Sequence, residues 1–187
     1  MMRFVYNPVK AAQAAAKIIK LHGGPIDTLV LMKLLYLADR EALLDSGYTI
    51  TGDAMVSMPH GPVLTNVLDC VTCNERPWRD YIKERQNHLL ALEHHEPNDD
   101  ELSEYEIGIL EQIHQLYGHL GPWEIRKLTH QLPEYEDPQG SSSRIEPADI
   151  LKFAGRSDRD IEVLTKEAES LYTVGHLIKS GRYLAAV

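Results

Sequence analysis

Three sets of side chains in this sequence have the types and spacing to do chemistry: metal binding, acid–base work and anion capture. Cys70 and Cys73 are two residues apart, the spacing of half a zinc site. No second C-x-x-C exists, so His60, His88, His94 or His95 would have to complete the ligand set. The pair also falls inside an expected helix, on one face beside Val67 and Val71, where both read as small core residues; no metal and no cofactor is expected. His94-His95-Glu96 lacks the HExxH spacing of a helical zinc hydrolase, and His114 and His119 do not share a helix face. Asp39-Arg40-Glu41 could be an acid–base cluster, but it stands where an apolar helix turns polar, and a solvated helix end accounts for it. A better alternative than catalysis is that Lys33 or Asp39 pairs across the core, because buried charges need partners. Gly61-Pro62 allows a tight turn and a helix start, and free N–H groups there could receive an acidic or carbonyl group. No phosphate loop, GxSxG elbow or Cys-His-Asn arrangement occurs, so no catalytic residue and no enzymatic activity is expected.

The elements that would position these groups are mostly helical. Asn7 caps a helix that Pro8 opens and Gly23 stops, with Val9, Ala12, Ala16 and Ile19 on one face. A second helix runs from about Asp27 to Asp45 with Gly47 as its stop; Leu29 to Ala38 is apolar nearly all round, which places it at the centre of the core. Tyr48 to Asp53 reads as a short extended piece and a turn, and Ala54 to Met58 as a second short strand. Gly61-Pro62 then opens a helix carrying Val63, Leu64, Val67, Leu68 and Val71 and ending at Asn74 to Pro77. Tyr81–Arg85 and His88–Glu93 read as two strands, the first an exposed edge. Ser103 and Glu106 form a capping box before a helix lined by Ile107, Leu110, Ile113 and Leu116. Gly121-Pro122 starts a shorter helix from Trp123 to about Gln131, and Leu132 to Ser143 is expected to be a mobile, exposed loop. Pro147–Phe153 is a short helix, and Ser157 with Asp160 begins the last one, striped by Ile161, Leu164, Ala168, Leu171, Val174 and Ile178 and closed by Gly181. The fold class is therefore mainly α (α+β): a compact multi-helix domain around a buried central helix with a small antiparallel β element.

A chain of 187 residues with 43% apolar content can bury a core without disulfides. Its two cysteines fit a reducing compartment. Leu29–Ala38, the longest apolar run, is broken by Lys33 and falls short of the roughly 18 residues of a membrane span. MMRFVYNPVK lacks the apolar stretch of a signal peptide, and a cytoplasmic location is expected. A net charge of −9 repels a phosphate backbone, so nucleic acid is disfavoured as a partner and a basic protein suits the surface better.

Three segments resemble the Panacea domain of SocA-like antitoxins: KLLYLADRE at Lys33–Glu41, ITGD with PHGPV at Ile50–Asp53 and Pro59–Val63, and LTHQLPEYEDP at Leu128–Pro138. His60 stands where an aromatic residue such as Tyr is expected before GPV, and Tyr135 where the later segment often has Trp. The likeness covers Ala11 to Gly155, dividing the chain into a domain over 1–155 and a C-terminal helix over 156–187 packed on or extending it. The resemblance implies an antitoxin that neutralises a cognate protein toxin by direct binding. Two alternatives are an adaptor that hands the toxin to a AAA+ protease, using the Leu132–Ser143 loop or the Gly181–Val187 tail, and an autoregulatory DNA-binding protein. Motif position nominates Tyr36, Asp39, His60, Trp123, His130 and Tyr135 as partner contacts, with Asp39 and His60 foremost. Trp78 and Trp123, each after a proline, are equally well read as core anchors or interface anchors.

Overall fold

The structure, a computed structural model, describes residues 1–94 and 96–179. His95, the Gly181 helix stop and the Gly181–Val187 tail lie outside them. In chain order the elements are α1 (Pro8–His22), β1 (Ile26–Asp27), α2 (Thr28–Ser46), β2 (Met55–Ser57), β3 (Val63–Leu64), α3 (Thr65–Cys73), α4 (Trp78–Tyr81), β4 (Ile82–Glu84), β5 (Leu89–Leu92), α5 (Glu104–Tyr117), α6 (Pro122–Thr129), β6 (Ser143–Ile145), α7 (Pro147–Phe153) and α8 (Asp158–Lys179). The fold is mainly α with small antiparallel sheets, as the periodicity indicated.

Helices with local start and stop signals form where those signals stand. Asn7 accepts from the N–H groups of Val9 and Lys10, each at 3.1 Å, and Asp27 does the same for Leu29 at 2.8 Å. The Ser103–Glu106 box closes in both directions at the start of α5. Helix α2 is the centre of the molecule: every residue from Val30 to Asp39 is buried, and α1, α5, α6 and α7 all pack against it. The small side chains Ala11, Ala12, Ala14, Ala15 and Ala16 are fully buried and let α1 lie close to its neighbours.

The β structure forms two sheets. One has the order β1-β5-β4, with β4 at the edge as its polarity suggested. The other, β3-β2-β6, differs from expectation at two places. Ser143, read as the end of a loop, and the next two residues, Arg144 and Ile145, for which no element was expected, pair along Met55–Ser57; the short sequence carries no strand pattern, and the partner strand supplies the order. Val63 and Leu64 do not open a helix after Gly61-Pro62 but pair with Val56 and Met55. Helix α3 starts only at Thr65, with no cap of its own. Its free N–H groups are taken by Asp53, which accepts from Asn66 N at 3.1 Å and Val67 N at 2.9 Å.

Two further expectations are corrected. Tyr48–Asp53 is irregular rather than extended. The stripe of α8 divides: Leu164 and Ala168 pack on the core, whereas Leu171, Val174 and Ile178 are exposed, so the helix begins on the domain and runs past it. No helix among the described residues is long and apolar enough to cross a membrane.

Asp53→Ala removes the acceptor at the start of α3 and leaves three backbone donors, of Ala54, Asn66 and Val67, without it. We expect a loss of about 1–3 kcal/mol in urea unfolding, with Asp53→Asn retaining part of it.

Candidate functional site

The site grows out of polar side chains on α2. Asp39 sits wholly inside the core. Its Oδ1 accepts the N–H groups of Ile50 and Thr51 at 3.0 Å, and its Oδ2 accepts the Thr51 hydroxyl. Residues 48–53 are irregular for this reason: the donors of Ile50 and Thr51 go to this carboxylate, and those of Tyr48, Gly52 and Asp53 to the Ser46, Thr49 and Thr51 hydroxyls, instead of to a strand. Burial pushes the Asp39 carboxyl up to about 7 against the pull of these hydrogen bonds. Asp39 is therefore neither a solvated helix end nor one half of a charge pair. Tyr36 is buried as well, and its hydroxyl donates to Glu134 Oε1 at 3.0 Å; burial, then the Glu134 charge, raises its phenol above the ordinary range. Neither Tyr36 nor Asp39 has exposed surface to offer a partner; both hold loops in place.

Glu134 also accepts from Arg40 Nε at 2.6 Å, and its side chain is only 1% exposed. The Leu132–Ser143 segment is thus fastened to the core by a buried ion pair, which corrects the reading of it as wholly exposed and mobile. Next along, Tyr135 stacks on His130 at 4.3 Å and 25°, and its hydroxyl donates to the Met58 carbonyl at 3.2 Å.

The Met58–Pro62 turn is the focus of the arrangement. Lys33, buried in α2, donates to the Pro62 carbonyl at 2.7 Å; Arg126 of α6 donates to the Pro59 carbonyl at 3.0 Å. The Gly61 N–H is spent on the Met58 carbonyl at 2.8 Å, so it is not available to a ligand. Gly61 has φ +93°, and a Cβ there would meet Thr129 Oγ1 at 2.9 Å, His130 Cδ2 at 3.0 Å and Lys33 Nζ at 3.1 Å. Only glycine lets the turn lie this close to α2 and α6. His60 is left exposed at the tip of a turn held from three elements.

Around that tip the structure gathers four of the nominated residues, His60, Trp123, His130 and Tyr135, through groups to which the sequence assigned no such part: Lys33 as a loop anchor, Arg126, Glu134, and Arg40 as the partner of Glu134 rather than a solvated helix end. Trp123 is 74% exposed, the most exposed large apolar side chain among the described residues, and Arg126 lies 5.7 Å from its ring centre. Trp78, by contrast, is 2% exposed and belongs to the core. The spacing Trp123, Arg126, His130 is i, i+3, i+7, a helix-face signal that was present in the sequence. Burial lowers the Lys33 ammonium to about 7, with Arg126 adding repulsion, and burial with the Arg126 and Lys33 charges holds His130 below the usual histidine range.

Among the described residues no three His, Cys, Asp or Glu side chains gather as a metal would need. Cys70 is half-buried with its Sγ 3.5 Å from the Tyr6 hydroxyl, and Cys73 is exposed.

The family model for antitoxin SocA-like proteins, Panacea domain, matches residues 31–135, from α2 through α6 to Tyr135. No curated protein and no solved structure matches the chain.

Two consequences can be measured. Asp39 binds its proton more tightly folded than unfolded, so its contribution to stability is full below about pH 4 and is lost as pH rises towards 7. Asp39→Asn keeps the acceptor for both backbone N–H groups and removes the titration. The stability difference between wild type and this variant should therefore fall by about 1.4 kcal/mol per pH unit between pH 5 and 6.5. Glu134→Ala leaves Arg40 and Tyr36 without their acceptor. It should cost about 2–4 kcal/mol and open the 132–143 segment to limited proteolysis, where the wild type is resistant.

Proposed function

The chain belongs to the SocA-like antitoxin family with a Panacea domain, whose model spans more than half of its residues, and from that premise we propose that it neutralises a cognate protein toxin by binding it directly. The observation that carries this reading is the exposed Trp123 with Arg126 beside the tip of the Met58–Pro62 turn, all within the family-matched stretch. A large aromatic ring left in water costs solubility and is a common interface anchor, the more so when a guanidinium lies beside it. The turn is pre-arranged by the Lys33, Arg126 and Tyr135 hydrogen bonds, so little ordering entropy is lost on contact.

In this reading the chain acts in the cytoplasm and uses no cofactor and no chemistry of its own; it occupies the toxin surface stoichiometrically. His60, His130 and Tyr135 extend the contact around Trp123, while Tyr36 and Asp39 support it from inside.

The test is co-expression with the product of the neighbouring reading frame. Growth should be rescued and the two proteins should co-purify, with the toxin's half-life unchanged by the antitoxin. Absence of rescue overturns the proposal; rescue accompanied by rapid loss of the toxin replaces it with the protease-adaptor mechanism. Trp123→Ala should weaken the complex by about 2 kcal/mol, roughly thirtyfold in Kd, with unfolding unchanged.

A further inference from the structure

The protein carries a net charge of −9, which by itself favours a basic partner. The face around Trp123 mixes the Arg126 guanidinium and two histidines with the Asp137 carboxylate, which lies near His130 and Tyr135. Lys33, His60, Arg126 and His130 converge there, close enough for Arg126 and Lys33 to depress His130 and for Arg126 to depress Lys33. Among the described residues no carboxylate forms an ion pair with Lys33 or Arg126. Arg40, the neighbouring cation, is already neutralised by Glu134. Glu124, next to Trp123 in sequence, is turned back to the Gly121 N–H at 2.9 Å.

Hydrogen bonding at this face is incomplete in the same sense. Of the nitrogens of Arg126 only Nη2 has an acceptor among the described residues, the Pro59 carbonyl, and its Nε is buried with none. His130 Nε2 is also buried without a partner. Buried polar atoms of this kind are rare in a finished structure. Here two of them lie beside an exposed Trp and a buried, singly bonded ammonium. A guanidinium with unused donors and no ion-pair partner, next to an aromatic plate, is complementary to a carboxylate on a chain with some apolar surface.

We propose that the Trp123–Arg126–His60–His130 face recognises an acidic, Asp/Glu-bearing segment of the protein partner. This rests on the antitoxin reading for the identity of that partner, but not for the chemistry of the contact. A carboxylate takes the unused donors of the Arg126 guanidinium and screens its repulsion of Lys33 and His130. An apolar side chain of the same segment covers Trp123.

The experiment uses the full chain and two blocked decapeptides, one alternating Glu and Leu and one alternating Lys and Leu, titrated to millimolar concentration and followed by backbone amide NMR. The Glu peptide should shift amides of α6 and the Met58–Pro62 turn, and the Lys peptide should not. Arg126→Glu should weaken the Glu peptide at least tenfold and bind the Lys peptide instead. Trp123→Ala, at an exposed position with no packing role, should also weaken the Glu peptide. The proposal is overturned if the Glu peptide does not bind, if it binds elsewhere, if Arg126→Glu leaves its affinity unchanged, or if inorganic phosphate produces the same shifts at equal concentration. Neutralisation separates this inference from the broader reading. A toxin still held by Arg126→Glu as tightly as by wild type overturns the acidic-segment proposal and leaves the antitoxin function standing. A wild type that rescues no growth overturns the function while the peptide titration still decides the chemistry of this face.

Discussion

A polar group inside an apolar core costs several kcal/mol unless it finds a partner, and α2 carries four of them on its buried course: Lys33, Tyr36, Asp39 and Arg40. Between them they reach three different loops. Lys33 takes the Pro62 carbonyl, Tyr36 and Arg40 take Glu134, and Asp39 takes the backbone of Ile50 and Thr51. Lys33, Tyr36 and Arg40 fall at i, i+3 and i+7 and share one face; Asp39 lies about 120° round the helix from Lys33. The central helix is therefore both the core of the fold and the device that arranges its loops. Ideal apolar packing at these positions would be as stable or more so, but it would leave the turn and the 132–143 segment without fixed places.

The same logic accounts for the two aspartates. Asp39 and Asp53 are acidic residues in an acidic protein, and both are spent inside it. One organises the connection after α2, and the other closes the start of α3 from a distance. Charge counting over the whole sequence therefore says little about any one face of the molecule. The net value of −9 sums exposed carboxylates with buried ones that no partner meets, and says nothing of the Arg126 guanidinium that stands without an ion-pair partner beside Trp123. The two tryptophans make the same point in apolar terms: both follow proline, yet Trp78 is buried under the small sheet side of the molecule and Trp123 stands in water.

Stability and function meet at Gly61. The backbone there has a left-handed φ and approaches Thr129, His130 and Lys33 within about a methyl group's width. That approach puts the turn under the control of α2 and α6 at once, which keeps His60 at a defined position. The turn is thus rigid at its base and exposed at its tip, and Arg126 and Tyr135 help to fix it while standing beside the exposed Trp123 and His60.

The start and stop of α1 and α2, the start of α5, the edge position of β4 and the central placement of α2 were all legible in the sequence, because capping and hydrophobic periodicity act over three or four residues and need no distant partner. The family resemblance was legible for the same reason: it is carried by contiguous motifs. The positions of Asp39, Glu134 and Lys33 were not, nor was the late start of α3. Tyr36 meets Glu134 across 98 residues and Lys33 meets Pro62 across 29, and no local pattern marks which acceptor a buried donor will reach. Ser143–Ile145 becomes a strand only because Met55–Ser57 offers it an edge. The sequence by itself determined which helices form and which one is buried. The tertiary structure alone decided which polar residues are supports and which are left facing a partner, since that depends on where the chain returns after each turn.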